Sequence, residues 1–160
     1  MTTHTVSILG SLNVDFITLT PRLPAGGETL HATSFTTGYG GKGANQAVAC
    51  ARLRPHDVRV RMCGHVGSDS FGTDYVEALK KEGLNVGSVK RIEGAKTGIA
   101  NVIVEEAQGE NRILLASGAN YEGWEAGADE VGEGTEVLVL QLEIPLSVVC
   151  SSRPLASWDE

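Results

Sequence analysis

The sequence is short of positive charge, histidine and cysteine, and it has no long apolar run. Thirteen lysines and arginines stand against twenty aspartates and glutamates in 160 residues, for a formal net charge of -7. With no basic cluster and no interleaving of basic and aromatic side chains, a nucleic-acid partner is not expected. The three cysteines, Cys50, Cys63 and Cys150, lie far apart and form no CxxC pair. Their odd number fits buried thiols in a reducing compartment better than a disulfide framework. The four histidines, His4, His31, His56 and His65, have no metal-ligand spacing and no motif that pairs them with Ser or Cys. Neither a zinc site nor a hydrolase is therefore supported, and we read them as structural or solvated. The apolar run after Met-Thr-Thr-His-Thr is only about five residues long, too short for a signal peptide or a membrane span. The expectation is a cytoplasmic chain, with the nucleus also open to it, and no membrane partner.

What is present reads as an α/β alternation. Val6 to Leu9 is a buried strand that ends at Gly10 and delivers Ser-Leu-Asn-Val-Asp at its carboxyl edge, where α/β sheets bind ligands. Phe16 to Tyr39 is Thr-rich and broken by Pro21, Pro24, Gly26 and Gly27, the texture of a hairpin. Gly43 to Leu53 places Ala44, Ala47, Val48 and Ala51 on one helical stripe, and a strand follows at Val58 to Cys63. The spacing of Phe71, Tyr75 and Leu79 predicts a helix over Ser70 to Glu82, with Ser68 or Asp69 as N-cap, Gly83 as its stop, and a surface pair between Glu77 and Lys81. Ile99 to Glu105 and Arg112 to Ser117 flank a polar turn and form a second exposed hairpin. Two hairpins inside an α/β alternation suggest a lid, at about residues 16–39 and 97–117. Val137 to Ile144 reads as a central parallel strand in which Gln141 and Glu143 stand out as buried polar groups that need partners. Tyr121 to Gly134 should supply a crossover helix, although its four glycines weaken it by about 1 kcal/mol each. After Pro145 a short helical stretch (LSVVC) is broken at Ser151, Ser152 and Pro154.

The chemistry-bearing motif is Gly40-Gly41-Lys42-Gly43-Ala44-Asn45-Gln46, a glycine cluster that opens a helix, where free N–H groups and the helix dipole favour an oxygen-rich ligand. Gly38, Gly40 and Gly43 satisfy GxGxxG, but they follow a hairpin rather than the first core strand, so a dinucleotide site is disfavoured. Gly43 also replaces the Ser or Thr that a phosphate-binding Walker loop requires after its lysine. A turn followed by an ordinary helix start remains the plain reading of the cluster taken alone.

The run Gly-Gly-Lys-Gly-Ala-Asn-Gln-Ala-Val-Ala resembles the N-terminal signature of the ribokinase-like, pfkB-type carbohydrate kinase family. Further segments resemble the family in the same order: Gly10-Ser11-Leu12-Asn13-Val14-Asp15, Gly27-Glu28-Thr29, Gly64 to Gly72, Thr97-Gly98, Gly109-Glu110-Asn111, Gly118-Ala119-Asn120 and Leu140 to Pro145. The resemblance implies the N-terminal part of an incomplete three-layer α/β/α fold over residues 1–150, with a parallel sheet and a small β-sheet lid, followed by a non-family tail at 151–160. It implies sugar contacts at Asn13, Asp15, Gly41, Lys42, Gly43, Asn45 and Glu143. Carboxylates and amides can bridge adjacent hydroxyls, and Lys42 with backbone N–H groups can donate to them. Taken singly, Asp15 also reads as a turn or capping residue, and Glu143 as an ion-paired structural carboxylate.

The implied activity is ATP-dependent phosphorylation of D-ribose to D-ribose 5-phosphate, with Mg2+ and an activating K+. It further implies a homodimer formed through the lid, whose apolar face would include Phe16, Ile17, Ile99 and Val102. The family's Asp-Thr-x-Gly-Ala-Gly-Asp motif, which carries the catalytic base and the anion hole, has no counterpart in these residues. Asp129 to Thr135 ends in Thr and precedes a strand. No catalytic residue and no ATP or metal ligand is therefore assigned to this chain, and a sugar-binding or dimerising fragment without turnover is the alternative.

Overall fold

The computed structural model describes residues 4–125 and 130–152. Two four-stranded sheets organise them. The first contains β1 (His4–Leu9), β4 (Val58–Gly67), β5 (Asn85–Ile92) and β8 (Val137–Leu140) in the order β5-β4-β1-β8, all pairs parallel. Adjacent residues of a strand face opposite sides. Ile8, Val60, Met62 and Val66 accordingly meet α1 (Lys42–Leu53) and α2 (Ser70–Lys81) on one face. Leu9 and Cys63 meet Trp124, Val131, Ile144 and the short α3 (Leu146–Ser151) on the other. Each such fully buried aliphatic side chain contributes about 1.5–3 kcal/mol of transfer free energy.

The stripe Ala44, Ala47, Ala51 is buried as expected, and its small side chains let α1 lie close to the sheet. Asp69 caps α2, its carboxylate accepting from Gly72 N at 2.9 Å and from Thr97 Oγ1 at 2.6 Å, so one side chain both starts the helix and anchors the residue that precedes the strand Gly98–Glu105. Tyr75 and Leu79 are buried, whereas Phe71 sits at the rim, edge-on to Phe16 at 5.6 Å.

The second sheet is mixed. Its strands are β2 (Asn13–Thr20), β3 (Ser34–Gly40), β6 (Gly98–Glu105) and β7 (Glu110–Ala116), in the order β3-β2-β6-β7. The two expected hairpins exist, and they are fused because β2 pairs with β6 in parallel over Asn13–Thr20.

Several expectations need correction. No crossover helix forms in the described part of 121–134, because Gly123, Gly132 and Gly134 take positive φ angles that an α-helix cannot hold. Only a 3-10 turn at Gly118–Tyr121 precedes it, and residues 126–129 lie outside those described. β8 stops at Leu140, after which the Gln141 side chain captures Glu143 N–H, and it is an edge strand among the described residues. β4 runs on to Gly67, and β5 was not foreseen because its sequence, NVGSVKRI, lacks a continuous apolar face. Lys80, not Lys81, pairs with Glu77. Cys63 is buried and Cys50 half-buried, but Cys150 is exposed because α3 buries none of its residues. Of the tail, residues 153–160 lie outside those described. Among the described residues no helix is long and apolar enough to cross a membrane.

Candidate functional site

The strand order sets the location. From β1 the chain moves outward to β4 and β5, then returns to add β8 on the other side of β1, and in such sheets ligands bind beyond the carboxyl ends at the reversal. Three backbone segments converge there. The connection Gly10-Ser11-Leu12 leads from β1 into β2, and Asn13 pairs with Gly40 at the end of β3 and with Gly98 at the start of β6. Register between Leu9 and Leu140 brings the residues after β8 to the same edge.

Gly41 makes the turn from β3 into α1. Its φ is 91°, and a Cβ there would lie 2.7 Å from the Ser11 carbonyl oxygen, so glycine is required on both counts. The turn aims the first N–H groups of α1 at Glu143. The Glu143 carboxylate accepts from Lys42 N at 3.1 Å and Ser11 Oγ at 2.7 Å, and Lys42 Nζ lies 2.9 Å from its other oxygen. Gly43 N reaches Ser11 Oγ at 3.4 Å, and Ala44 N donates to the Ser11 carbonyl at 3.0 Å. Burial alone would raise the Glu143 carboxyl, but the hydrogen bonds from Lys42 and Ser11 outweigh it and hold the group below its ordinary value.

Asp15 lies two residues after Asn13, on the same side of β2. It is half-buried and has no hydrogen-bond or ion-pair partner among the described residues. Burial pushes its carboxyl up, and the nearby charge of Glu143 adds to the shift. Lys42, Gly41, Gly43, Glu143, Asn13 and Asp15 are thus gathered at one edge. Asn45 is exposed one turn into α1, where it lines a groove of about 430 Å³ together with Tyr39, Val48, Arg52, Tyr75 and Glu82.

Sequence reasoning assigned no role to three residues that build this edge. Ser11 links Glu143 to α1. Tyr75, on α2, donates its hydroxyl to the Gly40 carbonyl beneath the turn. Asn120 binds both backbone groups of Leu12. Asn120 belongs to a recognised motif, Gly118-Ala119-Asn120, but the contact joins residues more than a hundred positions apart.

This donor set suits hydroxyl groups. A polyphosphate does not fit it, because the α1 N-terminus that would receive an anion already holds the Glu143 carboxylate.

The profile of the pfkB family carbohydrate kinases matches residues 3–149. The chain is 49% identical over 150 residues to a ribokinase of Schizosaccharomyces pombe, covering 90% of this chain and 47% of that protein. It is 38% identical over 148 residues to a deoxyribokinase of Salmonella typhimurium, covering 90% of this chain and 47% of that protein. Among solved structures, that of Arabidopsis thaliana ribokinase complexed with ribose and ATP superposes with a TM-score of 0.80 at 31% identity, over 95% of this chain and 49% of the other. The chain spans about half the length of the curated relatives it matches.

Proposed function

The chain belongs to the pfkB family of carbohydrate kinases, and on that premise we propose that it supplies the sugar site and lid of a kinase that phosphorylates D-ribose to D-ribose 5-phosphate at the expense of ATP. One observation carries the reading: a half-buried, unpartnered Asp15 beside a Glu143 carboxylate held ionised by Lys42 and Ser11. Such an edge offers acceptors and donors to adjacent hydroxyls.

Asn13, Asp15, Gly41, Lys42, Gly43, Asn45 and Glu143 are the proposed sugar contacts. The Arabidopsis thaliana ribokinase structure holds ATP, and the family resemblance implies Mg2+ and K+; no step runs through these groups, because the residues gathered at this edge suit hydroxyls. The lid would bury the sugar and pair with a second lid to form a homodimer. Phe16 stacks on Phe35 at 6.0 Å and packs within the monomer, so the dimer face would use Phe35 and Leu114, which are exposed and share one side of the sheet.

Calorimetric titration of the 160-residue chain with D-ribose, beside a coupled ATPase assay with magnesium and potassium, tests the reading. Saturable binding that is abolished in Asp15→Ala is the expected result. A folded chain that binds no sugar would overturn it. Binding without turnover would favour the sugar-binding fragment over a complete kinase. For the dimer, sedimentation of Leu114→Asp should shift the chain from two copies to one.

A further inference from the structure

Asn120 is almost fully buried, and all of its side-chain hydrogen-bonding capacity toward the site is committed. Its Oδ1 accepts from Leu12 N at 2.8 Å. Its Nδ2 donates to Leu12 O at 3.1 Å and to Asn13 Oδ1 at 2.8 Å. A backbone N–H can only donate and a backbone carbonyl can only accept, so the Leu12 pair fixes the Asn120 amide in one orientation. Its remaining N–H then demands an acceptor from Asn13, which fixes the Asn13 amide as well. Trp124 Nε1 holds the Asn120 carbonyl at 2.9 Å. Gly98 leaves the space: a Cβ there would lie 2.2 Å from Asn120 Nδ2 and 2.3 Å from Asn13 Oδ1.

We infer that Asn120 is a positioning residue that makes Asn13 a pure donor, turning the Asn13 Nδ2 hydrogens toward the sugar side of the edge. This rests on the reading of Asn13 as a sugar contact. Asn13 Nδ2 has no partner among the described residues, and Asp15 on the same side of β2 is an acceptor without one. A group set between them must accept from Asn13 and donate to Asp15. A hydroxyl does both, whereas a carbonyl, ether or fluorine can only accept. The ligand class at this position is therefore an alcohol, and the sense of its hydrogen bond is set by a residue that never touches it.

The test uses the 160-residue chain labelled with 15N in its asparagine side chains. Without sugar, the Asn120 amide protons should exchange slowly with solvent and those of Asn13 rapidly. In Asn120→Asp the carboxylate offers no donor, so the Asn13 amide should flip and its protons should become protected. D-ribose affinity should fall by about tenfold or more, as expected when donors facing a hydroxyl are lost. Asn13→Asp keeps an acceptor for Asn120 while removing the donors. It should retain Asn120 protection and lose sugar affinity similarly, so it serves if Asn120→Asp fails to fold.

Slow exchange at Asn13 in the unaltered chain would overturn the inference, as would sugar affinity unchanged in both variants. If the unaltered chain binds no D-ribose, the sugar reading fails. The exchange pattern then still decides whether Asn120 orients Asn13.

Discussion

Lys42 holds Glu143 twice, through its backbone N–H at 3.1 Å and its ammonium at 2.9 Å, so that a carboxylate arriving from beyond β8 closes the first turn of α1. The ammonium is largely exposed and the carboxylate largely buried, so the backbone and Ser11 bonds carry most of the stabilisation and the surface half of the ion pair adds little.

Glu143→Ala should therefore destabilise the chain by about 1–3 kcal/mol in chemical denaturation, the cost of stranding the Ser11 and Lys42 donors. Glu143→Gln should lose less, because it keeps an acceptor. The folded Glu143 carboxyl lies below its ordinary value of 4.5, so its contribution is complete above that pH and disappears as pH falls through the lower folded value. The stability–pH curve of Glu143→Gln should lack that acid-side step.

Asp15 behaves in the opposite sense. Its carboxyl is raised in the fold by burial and by Glu143, so ionising it costs stability as pH rises through the folded value. Asp15→Asn should melt higher than the unaltered chain at pH 7, with the gap closing toward the carboxylate range. The same substitution should weaken D-ribose binding, separating a binding role from a structural one in a single variant.

Gly41→Ala should cost at least about 2 kcal/mol, from the positive φ and the approach to Ser11. Gly26→Ala, where an added Cβ meets nothing within 4 Å, should be near neutral in the same thermal melts.

His65 is fully buried, stacked on Trp124 at 3.7 Å, with Nδ1 bonded to the Glu122 carbonyl at 2.7 Å. Burial holds its imidazole below the ordinary 6.5, so the native ring stays neutral where the unfolded one takes a proton. Stability should fall as pH drops below about 6.5, by at most about 1.4 kcal/mol per pH unit. His65→Gln should flatten that segment in denaturation curves followed by Trp124 fluorescence.

Legibility differed by element. α1 and α2 were readable because apolar spacing and caps are local: Ala44, Ala47 and Ala51 lie within eight positions, and Asp69 within three of the N–H it caps. The candidate sugar contacts came from motif resemblance rather than from spacing. β5 and the segment between β7 and β8 were misread or missed, because an edge strand needs no apolar alternation and a glycine-rich loop can cover a sheet face without helical periodicity. His65, taken as structural or solvated, is structural, but its stacking on Trp124 could not be seen in the chain order.

By itself, then, the sequence determined the α/β class, the two hairpins, the glycine turn into α1, the cap of α2, and membership of a sugar-kinase family, all of which depend on residues close together or on an ordered set of motifs. Tertiary structure alone decided that the hairpins fuse through β2 and β6, that Glu143 closes the first turn of α1, and that Asn120 bonds to Asn13. These are contacts across roughly a hundred residues. Their geometry follows from strand order and register, and no local pattern records it.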